Sequence, residues 1–381
     1  MTTGKMREAD DSKGLCGTAL LVAIEMGLKT WRLALSPAGL EKARQVAVTA
    51  GHYAELSEAV GKAKEKFGME KNGRVVYCYE AGREGFHPYR VLSEQGQTVW
   101  MVDSSSIEVN RRARRAKNDA LDASKLLALM QRQWRGERSL KAIRVPSVAE
   151  EDARQASRER EALIRECTRL RVRMQSLVFA QGVRSFAKSV SGIGRWLSEH
   201  GATLPPLLRE RLTLTLARLE LTSKQLQASN KAQRESCRAA ASAKASDPIA
   251  QRLIQLQGVG ERSACVLSTE LFSWRKFNNR REVGAVVGLT PTPYDSGESV
   301  REQGISKAGN KRVRRVIVEV AWKWLVYQPK SAISLWYQAR FAQGRRSRRI
   351  GIVAVARKLL VALWHYLEHG VMPTGAQLKA A

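Results

Sequence analysis

The sequence has few cysteines, and their arrangement argues against two common classes of protein. Five cysteines occur in 381 residues, an odd number, widely spread and without a Cys-x-x-Cys pair or a nearby histidine pair. This spacing fits neither a zinc module nor the disulfide framework of a small secreted protein. We therefore expect a cytoplasmic protein that keeps its thiols reduced.

The sequence also lacks an uninterrupted apolar run of the ~18 residues that a membrane span requires. The most apolar C-terminal stretch, residues 350–364, is interrupted by Arg357 and Lys358. Residues 15–24 are similar to a signal-peptide core, but they follow acidic residues and run into Glu25 without a small-residue cleavage site. We interpret them as a buried strand and expect no membrane partner.

Acidic residues are scarce relative to basic ones. The chain has 65 Lys and Arg against 36 Asp and Glu, a formal net charge of +29. A polyanion such as nucleic acid is the expected partner, because binding a phosphate backbone releases its condensed counterions. Charge alone indicates a class of partner and no reaction. The length and the 44% of hydrophobic residues are enough for more than one folded domain.

The N-terminal third alternates strand and helix patterns. Two apolar segments within residues 20–36 flank a short turn and predict a β-hairpin. A Lys/Glu-rich helical pattern over 54–67 follows, and later strands end at Glu80 and Asp103 with a helix between them. Alternation of this kind predicts an α/β sheet. Residues 111–130 begin as a basic loop and end as an amphipathic helix.

The middle of the chain, residues 149–245, is rich in strong helix formers, and residues 182–206 supply the Gly and Pro of a turn. The pattern predicts an antiparallel helical hairpin of coiled-coil type that is usable for dimerisation. Two ordinary helices packed on a neighbouring domain are the alternative. The apolar heptad-like positions are Leu163, Cys167, Leu170, Met174 and Leu177 in the first helix and Leu212, Leu216, Leu219 and Leu226 in the second.

Beyond Pro248, short helical segments with Gly-rich turns predict a mostly α-helical domain. Gly258 and Gly260 separate two helical stretches, as in a helix-hairpin-helix turn, whose backbone N–H groups approach a DNA phosphate. A turn packed between two helices explains the same glycines. Next comes a predicted Pro/Gly loop with the Ser296-Gly297 pair. A cationic row follows it, which we define as Lys307, Lys311, Arg312, Arg314 and Arg315.

Further basic residues are expected to contact DNA phosphates and to make binding salt-dependent. The run Arg345–Arg349 is one group, with a solvated charged turn as its alternative. The other group precedes the acidic helix of the N-terminal third and consists of Arg111, Arg112, Arg114, Arg115 and Lys117.

Four carboxylates form a candidate metal site. Glu25 and Glu80 each close a buried-looking strand, and Asp119 and Asp122 lie three residues apart on one face of a helix. Oxygen ligands of this kind hold Mg²⁺, and two such ions can activate a nucleophile and stabilise a leaving oxygen at a phosphodiester. Each residue taken singly also fits a surface or helix-capping position.

The segments AIEMGLKTWRLAL, YEAGREGFHPYRVL and KNDALDASKLLALM resemble, in order, the three blocks of the DEDD transposases of the insertion sequence one-ten family. The resemblance covers nearly the whole chain, and the family includes related DNA invertases. It implies a ribonuclease-H-like (RuvC-like) N-terminal domain that uses Mg²⁺. Glu80, Asp119 and Asp122 match the family's positions, whereas Glu25 stands where the family usually has Asp. The longer side chain puts the octahedral geometry of Mg²⁺ in question at that position.

The C-terminal segment resembles the same family's second domain, with the order GVG, GL-P, SG and K-GN-R-R. By that match Ser296 corresponds to the serine that attacks DNA and forms a covalent phosphoserine link. A serine hydroxyl needs activation by a base or a metal, and no histidine stands beside Ser296 in the sequence. Ser299, Ser306 and Tyr294 are rival nucleophiles, and only the match to the SG pair favours Ser296.

The predicted fold class is α/β plus α: a ribonuclease-H-like domain over 15–145, a helical coiled-coil hairpin over 146–245 and a mostly α-helical transposase domain over 246–375. The predicted function is cutting and rejoining of double-stranded DNA. The resemblance further implies a structured guide RNA and a homo-oligomer, a dimer of dimers in which one subunit's acids complete a site with another's Ser296. The alternatives are a site-specific invertase, a metal-only junction nuclease and an inactive nucleic-acid-binding relic.

Overall fold

The computed structural model describes residues 19–40, 42–103, 119–241, 248–296 and 299–379. Within these ranges, only the backbone is described for residues 237–241, 293–296, 299–303 and 345. The chain divides into two compact units, Met1–Pro146 and Ser147–Ala381. The residues of the predicted helical hairpin and of the predicted C-terminal domain therefore lie together in the second unit.

The first unit contains a five-stranded sheet with the strand order β3-β2-β1-β4-β5. Strands β1 and β2 form the predicted antiparallel hairpin, β3 extends it, and β4 and β5 run parallel to β1. The elements are β1 (Leu20–Met26), β2 (Thr30–Pro37), β3 (Arg44–Thr49), α1 (Tyr53–Lys66), β4 (Val75–Glu80), α2 (His87–Glu94), β5 (Thr98–Val102) and α3 (Asp119–Trp134).

Alternating side chains of the sheet build two cores, one on each face. On β1, Leu20, Val22 and Ile24 pack in the core that includes residues of α1 and α2. Leu21 and Ala23 point the other way and pack against α3. The resulting three layers, with a hairpin at one side of the sheet and parallel strands at the other, fit a ribonuclease-H-like DEDD domain.

The second unit opens with the short helix α4 (Val148–Asp152) and two long helices, α5 (Gln155–Phe179) and α7 (Pro206–Ala241). These two pack antiparallel through a shared apolar core, and Arg160 Nε near the start of α5 donates to Asn230 Oδ1 in the later part of α7 at 2.7 Å. A further helix, α6 (Val190–His200), occupies part of the segment that was predicted as a turn. It packs on the same core through Ile193.

The remaining described residues of the second unit form six helices and one hairpin around a separate core. The prediction of a Pro/Gly loop at Ser296 is wrong, because this segment forms two antiparallel strands. The elements are α8 (Pro248–Ile254), α9 (Glu261–Leu267), which continues as one π-helical turn over Ser268–Phe272, α10 (Arg280–Val287), β6 (Pro291–Ser296), β7 (Ser299–Ile305), α11 (Lys311–Tyr327), α12 (Ala332–Phe341) and α13 (Arg345–His369).

Helix α13 is the central apolar helix of this core. Its residues 346–369 are long and apolar enough in composition to cross a membrane, the only such case among the described residues. Half of its most apolar window is buried inside the protein, and Val355, Leu359 and Leu363 are completely buried. This burial is what a core helix shows, and Arg357 and Lys358 interrupt the apolar sequence at its centre.

The cysteines differ from one another in state. Cys78 and Cys167 are buried free thiols. Cys265 on α9 is disulfide-bonded in the structure, so the expectation that all thiols are reduced is wrong for this residue. Burial raises the pKa of the Cys78 thiol far above its ordinary value, so this residue behaves as a small apolar side chain of the sheet.

Candidate active site

Glu25 and Glu80 lie side by side at the carboxyl ends of two neighbouring strands, β1 and β4. Ile24 of β1 and Tyr79 of β4 are partners in the parallel ladder, and each is followed directly by its glutamate. Adjacent strands are ~4.8 Å apart, so the two glutamates leave neighbouring backbone positions. Both side chains are half-buried, and by alternation both point to the face covered by α3.

Helix α3 covers the face of the sheet to which both glutamates point. Near its end, Gln131 Nε2 donates to the carbonyl oxygen of Pro37, which pairs with the first residue of β1. The helix therefore runs antiparallel to β1, and its first turn lies at β3, where Gln45 Nε2 donates to the carbonyl oxygen of Ala120 at 3.2 Å. Asp119 and Asp122 are one turn before the residues of α3 that are buried against the sheet, Ala123, Leu126 and Met130.

The four acids supply the donor chemistry that a hard divalent cation requires. All are carboxylates, and Mg²⁺ binds oxygen ligands at ~2.0 to 2.1 Å in octahedral geometry. Among the described residues, however, no three His, Cys, Asp or Glu side chains stand close enough together to hold a metal ion. The register thus places Glu25 and Glu80 side by side on the face that α3 covers, while the convergence of the four acids on a metal stays a prediction.

Two basic residues accompany the acids. Arg32 of β2 is the antiparallel partner of Glu25 and shares its face of the sheet. Arg32 is exposed. It is the one charged residue in the sequence of β2, and this was the signal by which it could have been predicted. On α3, Lys125 Nζ lies 2.9 Å from Asp122 Oδ1. The expected phosphate contacts over residues 111–117 lie outside the described residues.

Ser296 is the last residue of β6 and pairs with Ser299, the first residue of β7. The candidate nucleophile therefore sits at the end of a strand, two residues before the chain returns. Tyr294 lies further down the same strand, opposite Arg301, and Ser306 follows β7 at the base of the hairpin. The four candidate nucleophiles therefore occupy different positions along the hairpin. Ser296 and Ser299 are paired at the ends of the two strands, whereas Tyr294 and Ser306 lie closer to the base.

The base of this hairpin is held by what we call the glycine clamp, Gly288 after α10 and Gly309 before α11. Both have positive φ, of 70° and 82°. A Cβ at Gly288 would lie 1.9 Å from the carbonyl oxygen of Ala308, and one at Gly309 would lie 2.1 Å from that of Val286. Lys307 N and Asn310 N donate to the carbonyl oxygens of Gly288 and Val286. The two ends of the hairpin are thereby bonded backbone to backbone.

A buried ion-pair network fixes the helix that follows the hairpin. Glu270, on the π-helical turn, is 1% exposed and accepts two hydrogen bonds from Arg158 of α5, at 2.9 and 3.1 Å. It also accepts from Arg312 Nη1 at 2.9 Å and from Asn310 Nδ2 at 3.2 Å. Asn310 is the N-cap of α11, so Glu270 holds the capping residue itself.

Glu161 of α5 extends this network by binding Arg312 and Arg315. Burial alone raises the pKa of Glu270, but the hydrogen bonds and charges of Arg158 and Arg312 outweigh it and leave that pKa below its ordinary value. The pKa of Glu161 is likewise lowered, because Arg312 and Arg315 outweigh the effect of burial. Both acids are therefore charged at neutral pH, and sequence reasoning did not single out either.

The cationic row splits into internal and exposed members. Arg312 is committed to Glu161 and Glu270, and Arg314 Nη1 donates to the carbonyl oxygen of Val287 at 2.7 Å. The remaining members, Lys307, Lys311 and Arg315, are exposed, although Arg315 also pairs with Glu161.

The two glycines of the candidate helix-hairpin-helix turn also differ. Gly258 has a φ of 83°, and a Cβ there would lie 3.3 Å from the backbone of Lys323 and Trp324, so this glycine permits close packing on α11. Gly260, the N-cap of α9, has open space where a side chain would be. Of the two, only Gly260 offers the approach to a phosphate that the sequence analysis expected.

Comparison with known proteins identifies relatives over almost the whole chain. Residues 31–180 match a transposase family model of the DEDD IS110 type, and residues 250–336 match the transposase IS116/IS110/IS902 family. A Sinorhizobium fredii protein, y4rJ, whose name assigns it as a transposase, is 39% identical over 378 residues, 95% of each chain. The transposase of insertion sequence element IS1328 from Yersinia enterocolitica is 27% identical over 290 residues, 74% of this chain and 80% of that protein.

Proposed function

Because this chain belongs to the IS110 family of DEDD transposases, we propose that it cuts and rejoins double-stranded DNA through a covalent intermediate on Ser296, with a divalent metal held by Glu25, Glu80, Asp119 and Asp122. Family membership supports the reaction class. The residue roles rest on the positions that the four acids and the serine occupy in the fold.

The observation that carries the acidic half is the register of β1 and β4. Two carboxylates on neighbouring strand ends, with a third and a fourth on the helix that covers that face, supply oxygen ligands from three separate elements. The chemistry that Mg²⁺ supplies at such a site is the polarisation of a phosphodiester and the activation of an oxygen nucleophile. Arg32, on the same face, is suited to bind a non-bridging phosphate oxygen.

The serine half is supported by the way the hairpin is held. The Ser296 oxygen forms a bond to the scissile phosphorus, the bond from phosphorus to the sugar oxygen of the cleaved strand breaks, and the serine proton passes to that leaving oxygen through the assembled site. The glycine clamp fixes the base of the hairpin, which limits the positions that its tip can take. The exposed Lys307 and Lys311 are suited to hold the DNA strand nearby.

We also propose that acids and serine of different subunits form one site in a homo-oligomer. Helix α7 carries a stripe of three exposed leucines at heptad spacing, Leu207, Leu214 and Leu221, with exposed fractions of 80%, 55% and 60%. This stripe is separate from the residues of α7 that pack on α5. Such a seam suits a helix of another copy. A structured guide RNA is a further partner, and the net charge of +29 is compatible with it.

The test is whether the protein forms a covalent DNA adduct and which variants lose it. Ser296→Ala should abolish the adduct and leave DNA binding intact, and Asp119→Asn should do the same. Ser299→Ala is the matched control, since it removes the hydroxyl of the residue that pairs with Ser296 in the hairpin, and it should retain the adduct. An adduct formed by Ser296→Ala, or one lost only in Ser299→Ala, would remove Ser296 from the role of nucleophile.

Mixing the two inactive variants tests the shared site. A mixed oligomer contains at least one pairing of an intact serine with intact acids, so the mixture of Ser296→Ala and Asp119→Asn should recover part of the wild-type activity. Full inactivity, with mixed oligomers shown to form, would mean that each subunit completes its own site. Glu25→Asp restores the family's usual residue and should be active, whereas Glu25→Gln should be inactive because a ligand charge is lost.

A further inference from the structure

A cleft between α11 and α13 stands out on the surface of the second unit. Its lining residues are Trp322 of α11 and Gly344, Arg348 and Arg349 at the beginning of α13, and its volume is about 470 Å³. This volume lies in the range of small-ligand sites, ~300 to 1,000 Å³. Both lining arginines belong to the basic run Arg345–Arg349, which has no role in the site proposed above.

Trp322 presents an aromatic surface that the protein itself leaves uncovered. Its side chain is 46% exposed. Among the described residues it makes no ring stacking or cation contact, whereas Trp336 of α12 has Lys358 Nζ at 4.5 Å from its ring centroid. An exposed Trp face in a basic protein offers a stacking surface for a planar, electron-rich ring system.

The two arginines place positive charge at the same cleft. Arg348 Nε donates to the carbonyl oxygen of Ala342 at 2.9 Å, which orients its guanidinium and leaves its terminal nitrogens available. Arg349 is exposed and forms no ion pair within the described part of the chain. A planar stacking surface flanked by two guanidinium groups is the combination that binds a nucleobase and its phosphates.

We propose that this cleft binds an unpaired nucleotide of a DNA strand, with the base stacked on Trp322 and the adjoining phosphates on Arg348 and Arg349. In a duplex the bases are stacked on one another and cannot cover the indole, so the site selects single-stranded DNA. Cutting and rejoining DNA produces such strands, and in this respect the inference rests on the proposed function. It adds a site for the separated strand whose residues are distinct from those of the serine hairpin.

The experiment uses the full chain and a fluorescently labelled oligo-dT of about 10 nucleotides, with a duplex of the same length as the second probe. Trp322→Ala should weaken oligo-dT binding roughly 5- to 100-fold, the loss typical of removing one stacking contact, and Trp322→Phe should weaken it less. Duplex binding should change less than twofold for both variants. Tyr327→Ala is the matched control, because Tyr327 is an exposed aromatic residue of α11 that does not line the cleft.

The arginines are tested through salt dependence. Arg348→Gln and Arg349→Gln should each reduce the slope of log affinity against log salt by ~0.7 for the single strand. Arg346→Gln, an exposed arginine of the same helical turn outside the cleft lining, should change the slope less. Binding of oligo-dT should also quench part of the tryptophan fluorescence, and that part should be absent in Trp322→Phe.

Three results would overturn the proposal: unchanged oligo-dT affinity in Trp322→Ala, an equal loss for the duplex, or an equal loss in Tyr327→Ala. Tighter binding of oligo-rU than of oligo-dT would overturn the assignment to DNA. The covalent adduct assay on duplex DNA reports separately on Ser296. Loss of single-strand binding in Trp322→Ala together with no wild-type adduct would therefore refute the proposed function and leave the cleft assignment standing.

Discussion

Replacing Glu270 with glutamine removes the buried negative charge on which two arginines converge, and we expect it to destabilise the second unit by about 3 kcal/mol. Glu270 is 1% exposed and accepts four hydrogen bonds, three of them from guanidinium groups. Glutamine has the same shape, so the change removes the charge with little loss of packing. One of its two terminal atoms becomes a donor and faces other donors.

The magnitude follows from how far each partner is exposed. Loss of one partner in a buried ion pair costs roughly 3 to 5 kcal/mol, because the remaining charge stays buried and uncompensated. The side chain of Arg158 is 39% exposed and regains water, whereas that of Arg312 is 17% exposed and keeps Glu161 as a partner. Both facts place the expected cost at the lower end of the range.

The assay is thermal unfolding of the full chain, monitored by calorimetry so that the unfolding transitions of the two units are resolved. For a unit of this size 1 kcal/mol corresponds to about 2–4 °C, so the transition of the second unit should fall by roughly 6–12 °C. Glu220→Gln is the control, since Glu220 is an exposed residue of α7 in the same unit, and it should change stability by less than about 0.5 kcal/mol.

The difference between wild type and Glu270→Gln should depend on pH in a defined direction. The pKa of Glu270 is lowered on folding, so its stabilisation is fully present above the ordinary carboxyl value of 4.5 and is lost as pH falls through the lower folded value. The two proteins should therefore converge in stability in acid. Equal stability at pH 7, or a difference that persists unchanged in acid, would refute the role assigned to this charge.

Three further predictions concern other parts of the chain. Gly309→Ala should destabilise strongly or prevent folding, because its methyl group would meet the Val286 carbonyl oxygen. Gly304→Ala, at a similar φ of 83° but with open space around it, should lower the free energy of unfolding by only about 1 to 2 kcal/mol in circular dichroism melts. Equal losses in the two variants would contradict the clamp. Leu214→Glu should lower the oligomeric state in light scattering without changing the helical content, and an unchanged mass would exclude this seam. The Cys78 thiol, whose burial raises its pKa, should react with a thiol reagent only in denaturant, and rapid labelling of the native protein would contradict its burial.

The sequence predicted those elements whose periodicity is uninterrupted. The β1–β2 hairpin was visible because apolar residues run through both strands, and the helices α5 and α7 were visible through their spaced leucines. The edge strand β3 was missed because it is short and only Val46, Ala47 and Val48 of its six residues are apolar. The strands β6 and β7 were missed because two prolines and a glycine interrupt them, and such residues are tolerated where a ladder is short.

The residues of the candidate site could be predicted from local patterns, but their neighbours in space could not. The four acids could be chosen from their positions at strand ends and on one helix face, but only the sheet register shows that Glu25 and Glu80 are neighbours. Arg312 was expected to contact DNA because it stands in a basic run. Its partners Glu161 and Glu270 are 151 and 42 residues away in sequence, and no local pattern indicates so distant an ion pair.

The glycine clamp has a consequence for how this protein tolerates sequence change. The atoms that exclude a side chain at Gly288 and Gly309 are backbone oxygens, which every amino acid carries, so no second substitution at Ala308 or Val286 can make room. The two glycines therefore fix the positions where the hairpin leaves α10 and enters α11. The ends of the hairpin therefore constrain evolution more tightly than an ordinary loop boundary does, because a mutation at either glycine has no compensating partner.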